Sequence, residues 1–141
     1  MRLVIDGAED ADFRGLVAIS ALTFIAASLR SVPIVVWVGD DPVMHTAVHS
    51  LQWDTGLQIT IPGMATDARE ILRDASLLVA VVFRSGVSYP VEAALRAHVP
   101  TLVAVQFPDE NASLDTMSLV RAAHDPRALG LAILSRLGRR T

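Results

Sequence analysis

The residues best suited to chemistry lie in one short stretch of the 141-residue chain, Arg84-Ser-Gly-Val-Ser-Tyr-Pro-Val-Glu92. It follows a continuous apolar run and precedes a helical one, which makes it a strand-to-helix turn. Gly86 lets the backbone come close to a ligand. Pro90 sets the first helical turn, whose unpaired N–H groups and positive dipole end suit a phosphate. Glu92, in that same turn, could accept hydrogen bonds from ribose hydroxyls. A glycine near a helix start and a glutamate in the first turn equally describe ordinary capping, so both readings stand on these residues alone.

Other candidates carry less. His45 and His49 are four apart, a helical spacing compatible with zinc, but no nearby carboxylate completes a set, and no metal is expected. Asp40 and Asp41 fit better as loop and cap. His98 and His124 fall at a helix end and a pre-helix turn, where solvated or capping roles are commonest. Trp37 ends a strand and Trp53 follows a helix, and both are expected to pack rather than to serve as a sugar platform. Arg136, Arg139 and Arg140 read as a solvated helix end.

The elements that must position these residues follow from alternation. Apolar, β-branched runs at Leu3–Asp6, Ile34–Val38, Leu57–Ile61, Leu77–Phe83 and Leu102–Gln106 are continuous rather than alternating, as in parallel strands covered on both faces. Between them the spacing predicts helices at about 11–30, 42–52, 66–74 and 90–98, with a last one at about 126–137. Val32-Pro33 and Val99-Pro100 close helices and open strands, Asp41-Pro42 is an N-cap followed by proline, and Asp125-Pro126 repeats that signal. Strand, helix, strand in regular succession implies an α/β fold, a three-layer doubly wound (Rossmann-like) parallel sheet over a single domain, 1–141. Ligands of such sheets bind outside the carboxyl ends of the strands, here after Asp6, Val38, Phe83 and Gln106.

Composition narrows the function classes. Hydrophobic residues make up 52% of the chain and charged ones 19%, enough apolar surface to offset the entropy of ordering. The formal charge is −3 and every basic residue is arginine, without a basic stripe, so nucleic acid is not an expected partner. Cysteine is absent, which removes disulfide and thiolate-metal chemistry and makes a cytoplasmic location the default. The apolar segment from Gly15 to Leu29 falls short of the ~20 residues a bilayer needs. It is expected to be a helix buried over most of its circumference, not a membrane span.

The stretch from Asp74 to Ala104, with the Arg84–Glu92 turn and Ala93-Ala-Leu-Arg-Ala-His-Val-Pro100 inside it, resembles the donor-binding segment of glycosyltransferase family 4, retaining enzymes of the GT-B fold. That family shows an Ala-Asp strand, a Glu-Gly-Phe-Gly loop, a Pro, a Leu-Glu-Ala helix, then Gly-x-Pro. In the same order, Asp12-Phe-Arg-Gly15 resembles its Lys-Gly segment and Val36-Trp-Val-Gly-Asp-Asp-Pro42 its Val-Gly-Asp-Gly-Pro strand end. Leu119 to Leu129 resembles its closing strand and Asp-Pro-x-Ala-Leu helix. The resemblance implies a nucleoside-diphosphate sugar as donor substrate and no further cofactor. It places Arg14 where the family has a phosphate-contacting lysine. It sets Gly86 and the amides of Val87 and Ser88 against the diphosphate, Gly7 at the first strand end, and Glu92 on the ribose.

Departures limit the activity implied. Arg84 or Ser85 stands where the family has its first motif glutamate, and Gly7-Ala8 replaces Gly-Arg, removing a phosphate ligand. The turn is also one residue shorter between Pro90 and Glu92. No part of the sequence resembles the acceptor half, so transfer is not expected from this chain alone; a partner acceptor-domain protein would supply that half, and no catalytic residue is assigned. Two alternatives share the fold: a non-catalytic, homo-oligomerising interaction module, and a protein similar to the nucleoside deoxyribosyltransferases. The latter family carries a nucleophilic glutamate four residues after the glycine, where this chain has Pro90.

Overall fold

Each continuous apolar run becomes a strand of one sheet. In the computed structural model, which describes residues 1–7, 14–39, 41–63, 66–84, 88–107, 118–120 and 125–138, the strands are β1 (Leu3–Asp6), β2 (Ile34–Trp37), β3 (Ile59–Thr60), β4 (Leu77–Arg84), β5 (Thr101–Phe107) and β6 (Ser118–Val120). For residues 14, 82–84, 105–107 and 118–120 only the backbone is described. The strand order is β3-β2-β1-β4-β5-β6, and every neighbouring pair is parallel. The chain steps outward from β1 to β3, then returns to lay β4 on the other side of β1. The sequence direction therefore reverses between β1 and β4, the switch point at which such sheets open a crevice.

Parallel neighbours need crossover connections, and helices supply them: α1 (Arg14–Ile25), α2 (Pro42–Thr55), α3 (Ala68–Ile71) and α4 (Tyr89–Arg96), with α5 (Pro126–Leu137) after β6. Successive strand residues point to opposite faces, and the core divides accordingly. Leu3, Ile5, Ile34, Val36, Leu77, Val79, Leu102 and Ala104 join one buried cluster with α1, α2 and α5. Val4, Val35, Leu78, Ala80 and Val103 join the other, with α3 and α4. These are the three layers of a doubly wound α/β fold.

The expected elements recur with instructive shifts. α1 ends at Ile25 and passes into a 3-10 turn, Ala26–Ser28; it buries a broad face and exposes Ser20, Thr23 and Phe24. α3 is a single turn rather than nine residues. β6 was implied only by the family resemblance, because three residues carry no readable period. α2 runs on to Thr55 and so contains Trp53, which is 89% exposed. The expectation that Trp53 packs is corrected here. Met44, Val48 and Leu51 set the buried face of α2 at four- and three-residue spacing, and a residue two beyond Leu51 falls on the opposite side. Among the described residues no helix is long and apolar enough to cross a membrane.

Candidate functional site

The carboxyl ends of β1 and β2 are held in register, Asp6 opposite Trp37, and the Gly7 N–H donates to the Trp37 carbonyl at 3.0 Å. Since partners in a parallel pair share a face, Asp6 and Trp37 both continue the series Val4–Val35, toward α3 and α4. Ile5 and Val36 point the other way. This alternation brings an acid and an indole beside the start of α4. Gly7 is confined there: a Cβ would lie 3.1 Å from Val38 Cβ and 3.2 Å from Val36 Cγ1, so a side chain would push the two strand ends apart.

Two contacts tie α4 to these strand ends. The Ser88 hydroxyl donates to Asp6 Oδ2 at 2.7 Å across 82 residues of sequence, and its oxygen accepts from the Val91 N–H at 3.3 Å as the helix N-cap. Asp6 is 4% exposed, so its carboxylate depends on partners rather than water. Beside it the Tyr89 and Trp37 rings meet edge to face, centroids 5.7 Å apart and planes at 82°. Tyr89 itself remains 64% exposed. Pro90, in the same turn, has no N–H, and the Val91 N–H is already engaged by the cap, so the first turn of α4 keeps fewer free donors than its position suggests.

Between these groups lies a cleft of about 380 Å³, open to solvent and walled on its far side by Pro62, Gly63 and Thr66 after β3. The only ionisable side chains among its described walls are Asp6 and Tyr89. A second cleft of about 500 Å³ adjoins it over Val38, Gly39, Pro62 and Gly63, and there His45, His49 and Gln52 of α2 face β3. The His45 ring Nε2 lies 2.7 Å from the Gly39 carbonyl and Gln52 donates to the Ile59 carbonyl at 2.7 Å, so both brace the strand ends. Among the described residues no three His, Cys, Asp or Glu side chains converge as a metal site would require.

Of the residues singled out from sequence, Gly7 and Ser88 come together in the cleft. Arg14 is the first residue of α1, in the connection leaving β1, and the structure describes its backbone alone. Gly86 and Val87 lie outside the described residues. Glu92 stands away from the cleft on the solvent side of α4, where it pairs with Arg96 at 2.6 Å. Sequence reasoning missed Asp6, Trp37 and Tyr89 as lining groups. Asp6 carried a usable signal, an acid closing an otherwise apolar strand; Trp37 and Tyr89 carried none until their contact was seen.

No family model and no curated protein sequence matches the chain. Solved structures do. The crystal structure of the GtfA/B complex superposes with a TM-score of 0.68 at 12% identity, over 96% of this chain and 29% of the other. The catalytic domain of cholesterol-alpha-glucosyltransferase from Helicobacter pylori superposes with a TM-score of 0.62 at 16% identity, over 98% of this chain and 87% of that one. This chain therefore has a glycosyltransferase-like α/β fold, and it spans under a third of the first of these chains.

Proposed function

We propose that the chain is a sugar-nucleotide-binding domain, the donor half of a GT-B glycosyltransferase-like protein, which needs an acceptor domain from a partner to carry out transfer. The observation that carries this reading is the cleft itself. It opens at the switch point, over the carboxyl ends of β1 and β2 and the start of α4, where sheets of this kind take nucleotides. The shared fold with a glucosyltransferase catalytic domain supports the choice of an activated sugar over other nucleotides, and the GtfA/B structure, a complex, is consistent with a divided assembly.

In this reading Arg14 and the 86–88 segment face the diphosphate, because both join the strands that flank the switch point. Glu92 must leave Arg96 before it can reach a ribose. The missing first glutamate and the Gly7-Ala8 pair leave no residue of this chain in a catalytic role.

The test is a thermal-shift panel of UDP, GDP, ADP and their sugars on the unsubstituted chain, on Arg14→Ala and on Glu92→Ala. A ligand that binds only the folded state raises its stability by about 2.7 kcal/mol at a hundred times its Kd. One nucleotide is expected to raise Tm, with a smaller shift for Arg14→Ala. No shift with any nucleotide overturns the reading and favours a non-catalytic, oligomerising module. Release of free base from a nucleoside would instead support the deoxyribosyltransferase-like alternative.

A further inference from the structure

We infer that the outer face of the α1–α5 pair is an interface between two copies of this chain, in which Phe24 of each copy enters the hollow beside Leu131 of the other. The pair packs on the opposite side of the sheet from α3 and α4, so this interface is independent of the nucleotide-binding reading.

The composition of α1 is that of a helix covered all round. Between Arg14 and Arg30 there is no charged residue, and a helix without a charged face is normally buried on every side. In the single chain it is not. Ser20, Thr23 and Phe24 lie exposed, as does Ala27 in the 3-10 turn that follows. The Thr23 hydroxyl donates back to the Ile19 carbonyl at 3.4 Å, so it asks little of water. Gly130 of α5 seats directly on α1, where a Cβ would lie 3.0 Å from both the Ala21 carbonyl oxygen and Ile25 Cγ2. This close seam brings Phe24, 63% exposed, and Leu131, 48% exposed, to one hollow of about 400 Å³, completed by Ile25 and Arg127. Single exposed apolar side chains are ordinary; two large ones sharing a hollow form a contact surface.

Charge decides what covers it. α1 is uncharged past Arg14, and α5 carries Arg127 and Arg136 but no acid. The carboxylate at the α5 N-cap, Asp125, stands two residues from Arg127. Among the described residues, then, one anion and one cation flank the hollow, with no surplus of sign to select an acidic or a basic partner. Such a face complements itself. About a two-fold axis residue i meets j and j meets i, so Arg127 of each copy reaches Asp125 of the other while the two Phe24 rings exchange hollows. A guanidinium beside an aromatic face adds a favourable contact of its own. Helices of twelve residues are ~18 Å long, which keeps the contact near or below the ~800 Å² per partner of a standard interface. The dimer is therefore weak, with a Kd on the order of 10 μM.

Sedimentation equilibrium of the full chain from about 1 to about 200 μM tests this, since mass action takes such a pair from mostly monomer to mostly dimer over that range. Leu131→Glu and Phe24→Ser, both at exposed positions, should each weaken association about ten-fold or more. Their Tm at about 1 μM, where the chain is monomeric, should stay close to that of the unsubstituted protein. Arg127→Glu and Asp125→Lys each set like charges together and should each weaken the dimer about ten-fold. Mixing these two variants opposes unlike charges again and should restore association. A chain that stays monomeric at about 200 μM overturns the inference. So does a dimer that survives both Leu131→Glu and Phe24→Ser, or a mixture that associates no better than its components.

Discussion

The two faces of the sheet are built to different standards. On one, α1, α2 and α5, each of twelve residues or more, bury a continuous cluster that includes Leu22, Met44, Ile133 and Leu134. On the other, α3 has four residues and α4 eight, and a smaller cluster around Val35, Ile71, Leu78 and Val91 does the same work. Among the cleft's described walls, the aromatic and acidic groups all belong to this thinner face. The thicker layer buries the larger cluster, and the thinner one carries short elements that border the cleft, the kind of region from which functional parts of a fold are expected to be drawn.

The widest gap should appear in core truncations. Ile133→Ala, on the thick face, is expected to lose about 2–5 kcal/mol in urea unfolding, the range for deleting a large buried aliphatic side chain. Ile71→Ala on the thin face makes the same deletion beside a smaller cluster and is expected to lose about 2 kcal/mol, the low end of that range. Equal losses would erase the distinction between the layers.

A smaller contrast separates two helix caps. Asp125 caps α5 through the N–H groups of Arg127 and Ala128 and is not among the described walls of the cleft, so Asp125→Ala should cost about 1 kcal/mol. Ser88 caps α4 and also donates to a buried carboxylate. Ser88→Ala should therefore cost about 2 kcal/mol or more, since hydrogen bonds to charged groups are the stronger kind. Matching losses by chemical denaturation would mean that the bond to Asp6 adds nothing to stability.

The smallest effect reverses sign. On the thick face α2 and α5 both end on a left-handed glycine, Gly56 at φ 73° and Gly138 at φ 69°. On the thin face α4 closes through His98 at φ 57°, with the Val99 N–H donating to the Ala94 carbonyl and the His98 N–H to Leu95, the paired bonds of a Schellman ending. His98 precedes Val99-Pro100, so it occupies the glycine place of the Gly-x-Pro pattern that this segment resembles. His98→Gly should raise stability by about 0.5–1 kcal/mol, the left-handed strain less the entropy glycine adds to the unfolded chain. A loss of stability would show that the imidazole itself holds the thin face together.

Much of this was legible in the residues. The runs at Leu3, Ile34, Leu77 and Leu102 are apolar on both parities because both faces of the sheet are covered. Asp41-Pro42 and Asp125-Pro126 announced their helices, since a carboxylate that accepts from the first free N–H groups and a ring with preset φ act within four residues. β6 and the shortness of α3 were not legible, because three or four residues hold too little of any period. Trp53 was misjudged because its burial depended on whether α2 stopped before it or ran past it.

By itself, then, the sequence determined whatever acts locally: which segments become strands, where helices begin, and that the chain alternates into a doubly wound sheet. Only the tertiary structure decided which of the polar groups meet. Asp6 and Ser88 are 82 residues apart, and Trp37 and Tyr89 come from strands and helices that the crossover between β1 and β4 brings to one edge. Glu92, next to the buried Val91 in the first turn of α4, is carried off the packed face because a helix turns by about 100° per residue. Neighbours in sequence were thus separated and distant residues joined, since helical phase and strand order fix where a side chain points and sequence proximity does not.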